Sequence, residues 1–410
     1  MSLAEVHDTA KTLLLAQGFS ESHSSAIART VTAAERDECR HHGLFRIPFY
    51  VNGLQSGQAS GTEEPTTTWL TDSIVRVDGH RGFSPLALEH GHKPLVERAR
   101  RHGIAALAVN NTLNVAALWP EVERLADEGL VGFAFVSAIP YVAPFGGTKP
   151  VFGTNPMAFA WPRLGKPALV FDQASSMSAR GEIQVRLRDG KPLPDGWAID
   201  ASGQPTTNPL AALSGAQLPF GEAKGSNIAL MVELLAGPLI GDALSFESGE
   251  DDKAKTGAPC GGEFVIAIDP SKCMPGGSLE AQTTHAEKLF DLILSQDGTR
   301  LPSDRRYQAR ERSLKQGVDV PTSLVETLKK LSTGALYSNR QSYEGDPISD
   351  SKWSVKMTRE KQKKSKPVSA RSRVRLRPDR GSYDIEIAKK IIDEALVCHV
   401  AVNLDFGPAI

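Results

Sequence analysis

Apolar residues recur at helical spacing over residues 3 to 38, with Val6, Leu13, Leu14 and Phe19 forming one stripe and Ala26, Ile27, Val31 and Ala34 a second. A stripe of this period marks one buried helix face, so the segment predicts two amphipathic helices. Between them, GFSESHS supplies Gly18 to stop the first helix and Ser20 or Ser22 to cap the second. The segment DECRHHGLFR then continues or closes a helix ahead of Pro48. From Ser73 the pattern shortens. SIVRVDG, IAALAVN, VGFAFVS, MAFAWP and ALVFD are β-branched or aromatic runs bounded by Gly, Pro and Asn, and they predict strands. Helical stretches over 85–102, 118–128 and 226–239 alternate with them, FVIAIDP adds a late strand, and 278–294 returns to helix. Such alternation predicts a layered α/β core and argues against an all-β barrel. The late return to helix predicts that residues 1–75 and 279–335 pack as one helical domain, with an α/β domain of residues 76–278 inserted between them.

Composition narrows the class of protein. A chain of 410 residues, 40% hydrophobic and 23% charged, is ordinary for a two-domain globular protein. The formal net charge of −1 gives no global reason for a nucleic-acid or membrane partner. No apolar run reaches the roughly twenty residues of a membrane span, and MSLAEVHDTAK is too polar for a secretory signal, so a cytoplasmic location is expected. Cys39, Cys260, Cys273 and Cys398 are scattered without a CxxC pair, which predicts reduced thiols and no metal site. From Ser332 the periodicity fails. Residues 336–370 read as a disordered basic linker, with Lys361, Lys363, Lys364 and Lys366 the one place for weak nucleic-acid contact.

Three blocks carry candidate chemistry: PVFGTNPMAFAWP (150–162), VFDQASS (170–176) and GEAKGSNIALMVELLAG (221–237). Each puts small residues, Thr, Asn or Ser where a strand ends or a helix begins, and backbone N–H groups are free there to hold an anion. Asp172 closes the strand ALVFD, where a carboxylate faces a ligand crevice or caps a helix. Thr154 lies in a turn-forming FGTNP and could hold a carboxylate oxygen. Lys224 opens a long helical run and could pair with a phosphate. In HHGLFR a helical reading sets His42 and Arg46 four apart on one face, a proton donor beside a bidentate cation. No GxGxxG follows a strand, so the usual dinucleotide fingerprint is missing.

With HHGLFRIPFY (41–50) and AALWPEVERLADEGL (116–130), these blocks resemble the type-2 malate/L-lactate dehydrogenase family from about residue 5 to about residue 333. Within the family it looks like the branch of the Δ1-piperideine-2-carboxylate/Δ1-pyrroline-2-carboxylate reductases. The resemblance implies a non-Rossmann mixed-sheet α/β/α domain binding NADPH or NADH, inserted in a helical domain. It also implies a homodimer and a small 2-imino or 2-keto acid substrate. The family motif reads SHGxxR, its Ser relaying to the His donor and its Arg gripping the substrate carboxylate. By position His42 is the donor and Arg46 the clamp, while His41 stands where the relay Ser would be. Asp172 takes the family's proton-relay position and Thr154 its substrate-contact position. Ser137, Phe171, Gln173, Lys224, Arg305 and Arg306 match cofactor contacts. Asn114 occupies the place of a His beside the nicotinamide, and Ala223 that of a second His. The implied reaction is hydride transfer to a cyclic imine. The alternatives are 2-hydroxy acid dehydrogenation by the same site, or an impaired paralogue serving as an interaction protein. The terminal RVRLRPDRGSYDIEIAKKIIDEALVCHVAVNLDFGPAI resembles the opening of a pyridoxamine-phosphate-oxidase-like split barrel, which makes 371–410 an incomplete barrel fragment.

Overall fold

The computed structural model of the chain describes residues 1–253, 257, 260–332, 402–404 and 407–409. It divides into two units, Met1–Asp346 and Pro347–Ile410. In the first, α1 (Leu3–Ala16), α2 (Glu21–Arg36) and α3 (Ile47–Gln55) lead into β1 (Thr66–Trp69) and β2 (Ile74–Phe83). Then follow α4 (Ser84–His102), β3 (Ile104–Leu113), α5 (Trp119–Asp127), β4 (Val131–Val136), β5 (Met157–Trp161) and β6 (Leu169–Gln173). A peripheral subdomain holds α6 (Arg180–Arg188), α7 (Pro209–Ser214) and the two-residue strands β7 (Ala198–Ile199), β8 (Pro205–Thr206) and β9 (Ala216–Gln217). The chain continues through α8 (Ala223–Ala236), α9 (Ser245–Asp251), β10 (Cys260–Ile268), α10 (Leu279–Leu294), α11 (Asp304–Gln316) and α12 (Thr322–Ser332). The first two helices start where the sequence predicts: Ser20 Oγ accepts from the His23 N–H, and Gly18 leaves α1 at φ +93°.

The main sheet runs β1-β2-β3-β10-β4-β5-β6, with β2 and β3 parallel and every other neighbouring pair antiparallel. Alternation along the strands sends successive side chains to opposite faces. Leu107, Val109, Ala134, Val265 and Val170 pack under α4 and α5, while Ala108, Phe135 and Phe264 pack against Val232 of α8. Helices therefore cover both faces of a mixed sheet, as the expected α/β/α class requires. A separate apolar cluster joins Val6, Leu14, Ile27 and Tyr50 of α1, α2 and α3 to Leu328 and Leu331 of α12.

The HHGLFR segment departs from the expected helix. Arg40–His42 and Leu44–Arg46 are two 3₁₀ turns broken at Gly43. The physical reason is a buried carboxylate: Glu35 Oε1 accepts from the Leu44 N–H at 2.7 Å, and a Cβ on Gly43 would lie 2.1 Å from that oxygen. Among the described residues of the second unit, Val402–Leu404 and Gly407–Ala409 form an antiparallel hairpin. The expected linker, and the rest of the expected barrel fragment, fall outside the described residues.

Candidate active site

The ends of β3 and β6, the first turn of α5 and the two 3₁₀ turns meet beside the α5-covered face of the sheet. The His41 and His42 rings are 4.5 Å apart. His42 Nδ1 lies 3.3 Å from the Val115 carbonyl just beyond β3. A carbonyl only accepts, so Nδ1 carries the proton and neutral His42 keeps its lone pair on Nε2. Desolvation, then the charges of Arg46 and His41, hold the His42 pKa well below the ordinary imidazole value, against the opposing pull of that carbonyl. His41 keeps an accessible edge, and desolvation by its crowded surroundings, followed by Arg46, lowers its pKa as well. The Arg46 guanidinium lies 5.0 Å from the Phe49 ring centroid and 6.0 Å from that of Phe45, and its Nε is buried with no hydrogen-bond partner. Two aromatic neighbours and an unused donor leave its guanidinium available to an anion.

Asp172 shares a sheet face with Val170, two residues before it on β6. Its Oδ2 accepts from the backbone N–H groups of Leu118 at 2.9 Å and Trp119 at 3.1 Å. It thus caps α5, a helix that precedes it in the sequence. Its Oδ1 takes no hydrogen bond among the described residues. Burial raises the Asp172 pKa, opposed by these N–H groups and by the Arg306 charge. Arg306 itself lies over Trp119, 4.6 Å from the ring centroid, with its Nη1 buried and unpartnered.

Asn114 is committed to the protein: Nδ2 donates to Glu263 Oε2 at 2.8 Å and Oδ1 accepts from the Ala116 N–H at 3.0 Å. The structure thus gathers His41, His42, Arg46, Asn114, Asp172 and Arg306 about one turn. Among the described residues, the other sequence candidates make no side-chain hydrogen bond to these six. Ser137, at the end of β4, is buried with an unpartnered hydroxyl. Phe171 packs on Phe159 at 5.4 Å and exposed Gln173 pairs with Met157 across β5. Thr154 is half-buried and accepts from the Ser175 N–H through its carbonyl. Lys224 is exposed in the first turn of α8 and Arg305 is exposed on α11.

Sequence reasoning missed Glu121, Glu263, Tyr141 and Arg180. Arg180, at the start of α6, stacks 4.0 Å from the Tyr141 ring, and the neighbouring Gly181 borders His41. Glu263 carried a readable signal, since it is one carboxylate in the otherwise apolar strand CGGEFVIAI. Tyr141 and Arg180 sit in loops and helix starts whose partners lie far off in sequence.

A three-layer mixed-sheet fold without a glycine fingerprint, with a histidine, an arginine and a buried carboxylate at the strand ends, defines a class of α/β oxidoreductases. The chain belongs to the malate/L-lactate dehydrogenase family, which it matches over residues 1–329. Dehydrogenases and reductases of this family use a nicotinamide cofactor. The chain is 49% identical over 331 residues to Delta(1)-pyrroline-2-carboxylate reductase 2 of Burkholderia multivorans, covering 81% of this chain and 97% of that protein. It is 50% identical to the Delta(1)-pyrroline-2-carboxylate/Delta(1)-piperideine-2-carboxylate reductase of Pseudomonas aeruginosa, covering 81% and 98%. The solved delta1-piperideine-2-carboxylate reductase from Pseudomonas syringae superposes with a TM-score of 0.76 at 37% identity, covering 81% of this chain and 99% of that one.

Proposed function

We propose that the chain is a nicotinamide-dependent reductase of cyclic 2-imino acids, converting Δ1-pyrroline-2-carboxylate or Δ1-piperideine-2-carboxylate to proline or pipecolate. The observation that carries this choice is the His42 Nδ1–Val115 contact. A neutral His42 with its lone pair on Nε2 is suited to accept from the N–H of a protonated cyclic imine. Hydride addition to an iminium carbon leaves a neutral amine and needs no further proton. Reduction of a 2-keto acid needs a proton delivered to the oxygen, and desolvation, Arg46 and His41 all oppose protonating His42. Arg46 would grip the substrate carboxylate with Thr154 as a second contact, and the free Oδ1 of Asp172 would exchange protons with His42 or with solvent. His41, at the relay position, adds a second titratable ring beside His42.

The residues present suit a nicotinamide cofactor. The unpartnered Ser137 hydroxyl and Arg306 Nη1 are buried donors awaiting an acceptor, and Lys224 lies where the N-terminus of α8 favours a phosphate. Phe171, Gln173, Arg305 and Asn114 complete the candidate set. The cofactor would supply the hydride, and the exposed Lys224 ammonium favours NADPH over NADH. Exposed Leu230, Leu234 and Leu239 in and just after α8 support a homodimer, because a monomer gains nothing from leaving such a row in water. No described helix is long and apolar enough to cross a membrane, in keeping with a cytoplasmic enzyme.

Oxidation of NADPH and NADH should be followed with pyrroline-carboxylate, piperideine-carboxylate, pyruvate and oxaloacetate. Turnover is expected with the imines, with kcat/KM falling as pH rises and the iminium form is lost. Preferential turnover of a keto acid would overturn this reading. Asn114 in place of a titratable His favours one second reading, an impaired paralogue, which would bind NADPH and turn over none of the four.

A further inference from the structure

Three carboxyl groups converge on the α5-covered face of the sheet: Asp172 of β6, Glu121 in the first turn of α5, and Glu263 in β10. Glu263 is 0% exposed and lies between Val109 of β3 and Val136 of β4. It directly follows a register shift in the β3–β10 ladder, the kind of irregularity that re-aims a side chain. Its Oε2 accepts from Asn114, while its Oε1 and Glu121 Oε2 are buried without partners. Asn114 in turn binds the Ala116 N–H, which ties down the turn whose Val115 carbonyl takes the His42 Nδ1–H. An amide is the side chain that can bridge a carboxyl group and a backbone donor at once.

We propose that Glu263 is a positioning residue of the reductase site, holding the Asn114 turn so that the Val115 carbonyl fixes His42 in the tautomer with its lone pair on Nε2. The proposal rests on the cyclic-imine reading for its kinetic consequences and on the geometry alone for the tautomer. Glu263 does this as a neutral acid. Burial pushes its pKa up to about 8, with the Asn114 hydrogen bond opposing and the Asp172 charge adding to the rise. The groups that face it are Asn114, Glu121 and Asp172. Its sheet neighbours Val109 and Val136 are apolar, and the nearby cations Arg124 and Arg306 act on Glu121 and Asp172. Ionised, Glu263 would be repelled by the Asp172 carboxylate, with the Asn114 hydrogen bond opposing that repulsion.

The full chain labelled with ¹⁵N-histidine tests this without turnover, the His42 signals being assigned by their loss in His42→Asn. Wild type and Glu263→Gln, whose amide oxygen still accepts from Asn114, should show the Nδ1–H tautomer, and Glu263→Leu a mixture. On Δ1-pyrroline-2-carboxylate, Glu263→Leu should lose about tenfold in kcat with little change in KM for NADPH, the scale expected for an outer-shell partner. The kcat of Glu263→Gln should lack the wild-type fall near pH 8. An unchanged His42 tautomer in Glu263→Leu, or an alkaline fall retained in Glu263→Gln, overturns the proposal. Should Glu263→Leu fail to fold, the Gln variant's pH profile decides. A chain that reduces no imine overturns the reductase reading, and the tautomer measurement then judges Glu263 separately.

Discussion

Arg46 is the residue proposed to grip the substrate carboxylate. Its guanidinium lies near two phenyl rings with Nε unpartnered, so its lining rings offer it no anion. Arg46→Ala should raise the substrate KM strongly and leave the KM for NADPH nearly unchanged, since losing a charge-assisted bidentate contact costs on the order of 2 to 5 kcal/mol. Steady-state kinetics with both substrates varied would check it, and an unmoved substrate KM would remove Arg46 from the site. The pair His42 and Arg46 was legible in the sequence; the geometry that joins them was not. Helical spacing would have placed them on one face, but the Glu35 carboxylate under Gly43 breaks the segment into two 3₁₀ turns. A residue nine positions upstream decided it.

Helix α5 is held at its start and at its middle by groups from other elements. Asp172 caps its start, so Asp172→Ala should cost about 1 to 2 kcal/mol of stability by denaturant melt. Asp172→Asn keeps an acceptor and should restore most of the stability. If the carboxyl also moves protons, kcat should stay depressed in the Asn variant, and full recovery of both would leave Asp172 a cap alone. Further along α5, Arg310 of α11 donates to Glu123 at 2.7 Å and to Asp37 at the end of α2, also at 2.7 Å. Burial raises the Asp37 pKa, but the hydrogen bonds and charges of Arg310 and Arg36 outweigh it, and the net shift is downward. A depressed carboxyl contributes stability that is present above its unfolded value and lost as pH falls through the folded one. Arg310→Leu should therefore destabilise by roughly 1.5 to 3 kcal/mol at neutral pH, because Arg36 alone then faces both Asp37 and Glu123. The difference from wild type should shrink below about pH 4, where unfolded aspartate takes up its proton. Parallel melts at pH 7 and pH 3.5 would show a constant gap if the network were irrelevant.

On the scale of the whole molecule, the apolar clusters among the described residues lie within the first 331: Leu328 and Leu331 of α12 pack on α1 and α3, and the sheet is covered on both faces. A chain ended after Ser332 should keep its melting temperature and its turnover while losing affinity for polyanions, because the Lys361–Lys366 run goes with the removed segment. A drop of several degrees, or loss of turnover, would show that the later residues belong to the catalytic body.

The sequence by itself determined the layered α/β class, because periods of two and 3.6 residues survive in single segments such as IAALAVN and residues 3–38. It also marked His42, Arg46 and Asp172, since motif chemistry is written in contiguous residues. Helices α6 and α11 went unpredicted for the opposite reason: α11 is almost wholly polar and buries only Ala309 and Ser313, so no apolar stripe announces it. Only the tertiary structure decided that Asp172 caps an earlier helix, that Asn114 turns away to a buried Glu263, and that the Val115 carbonyl sets the His42 tautomer. Each of these contacts joins residues 53 to 149 positions apart. Their energy comes from burying polar groups together, and burial is a property of the assembled layers that no local pattern carries.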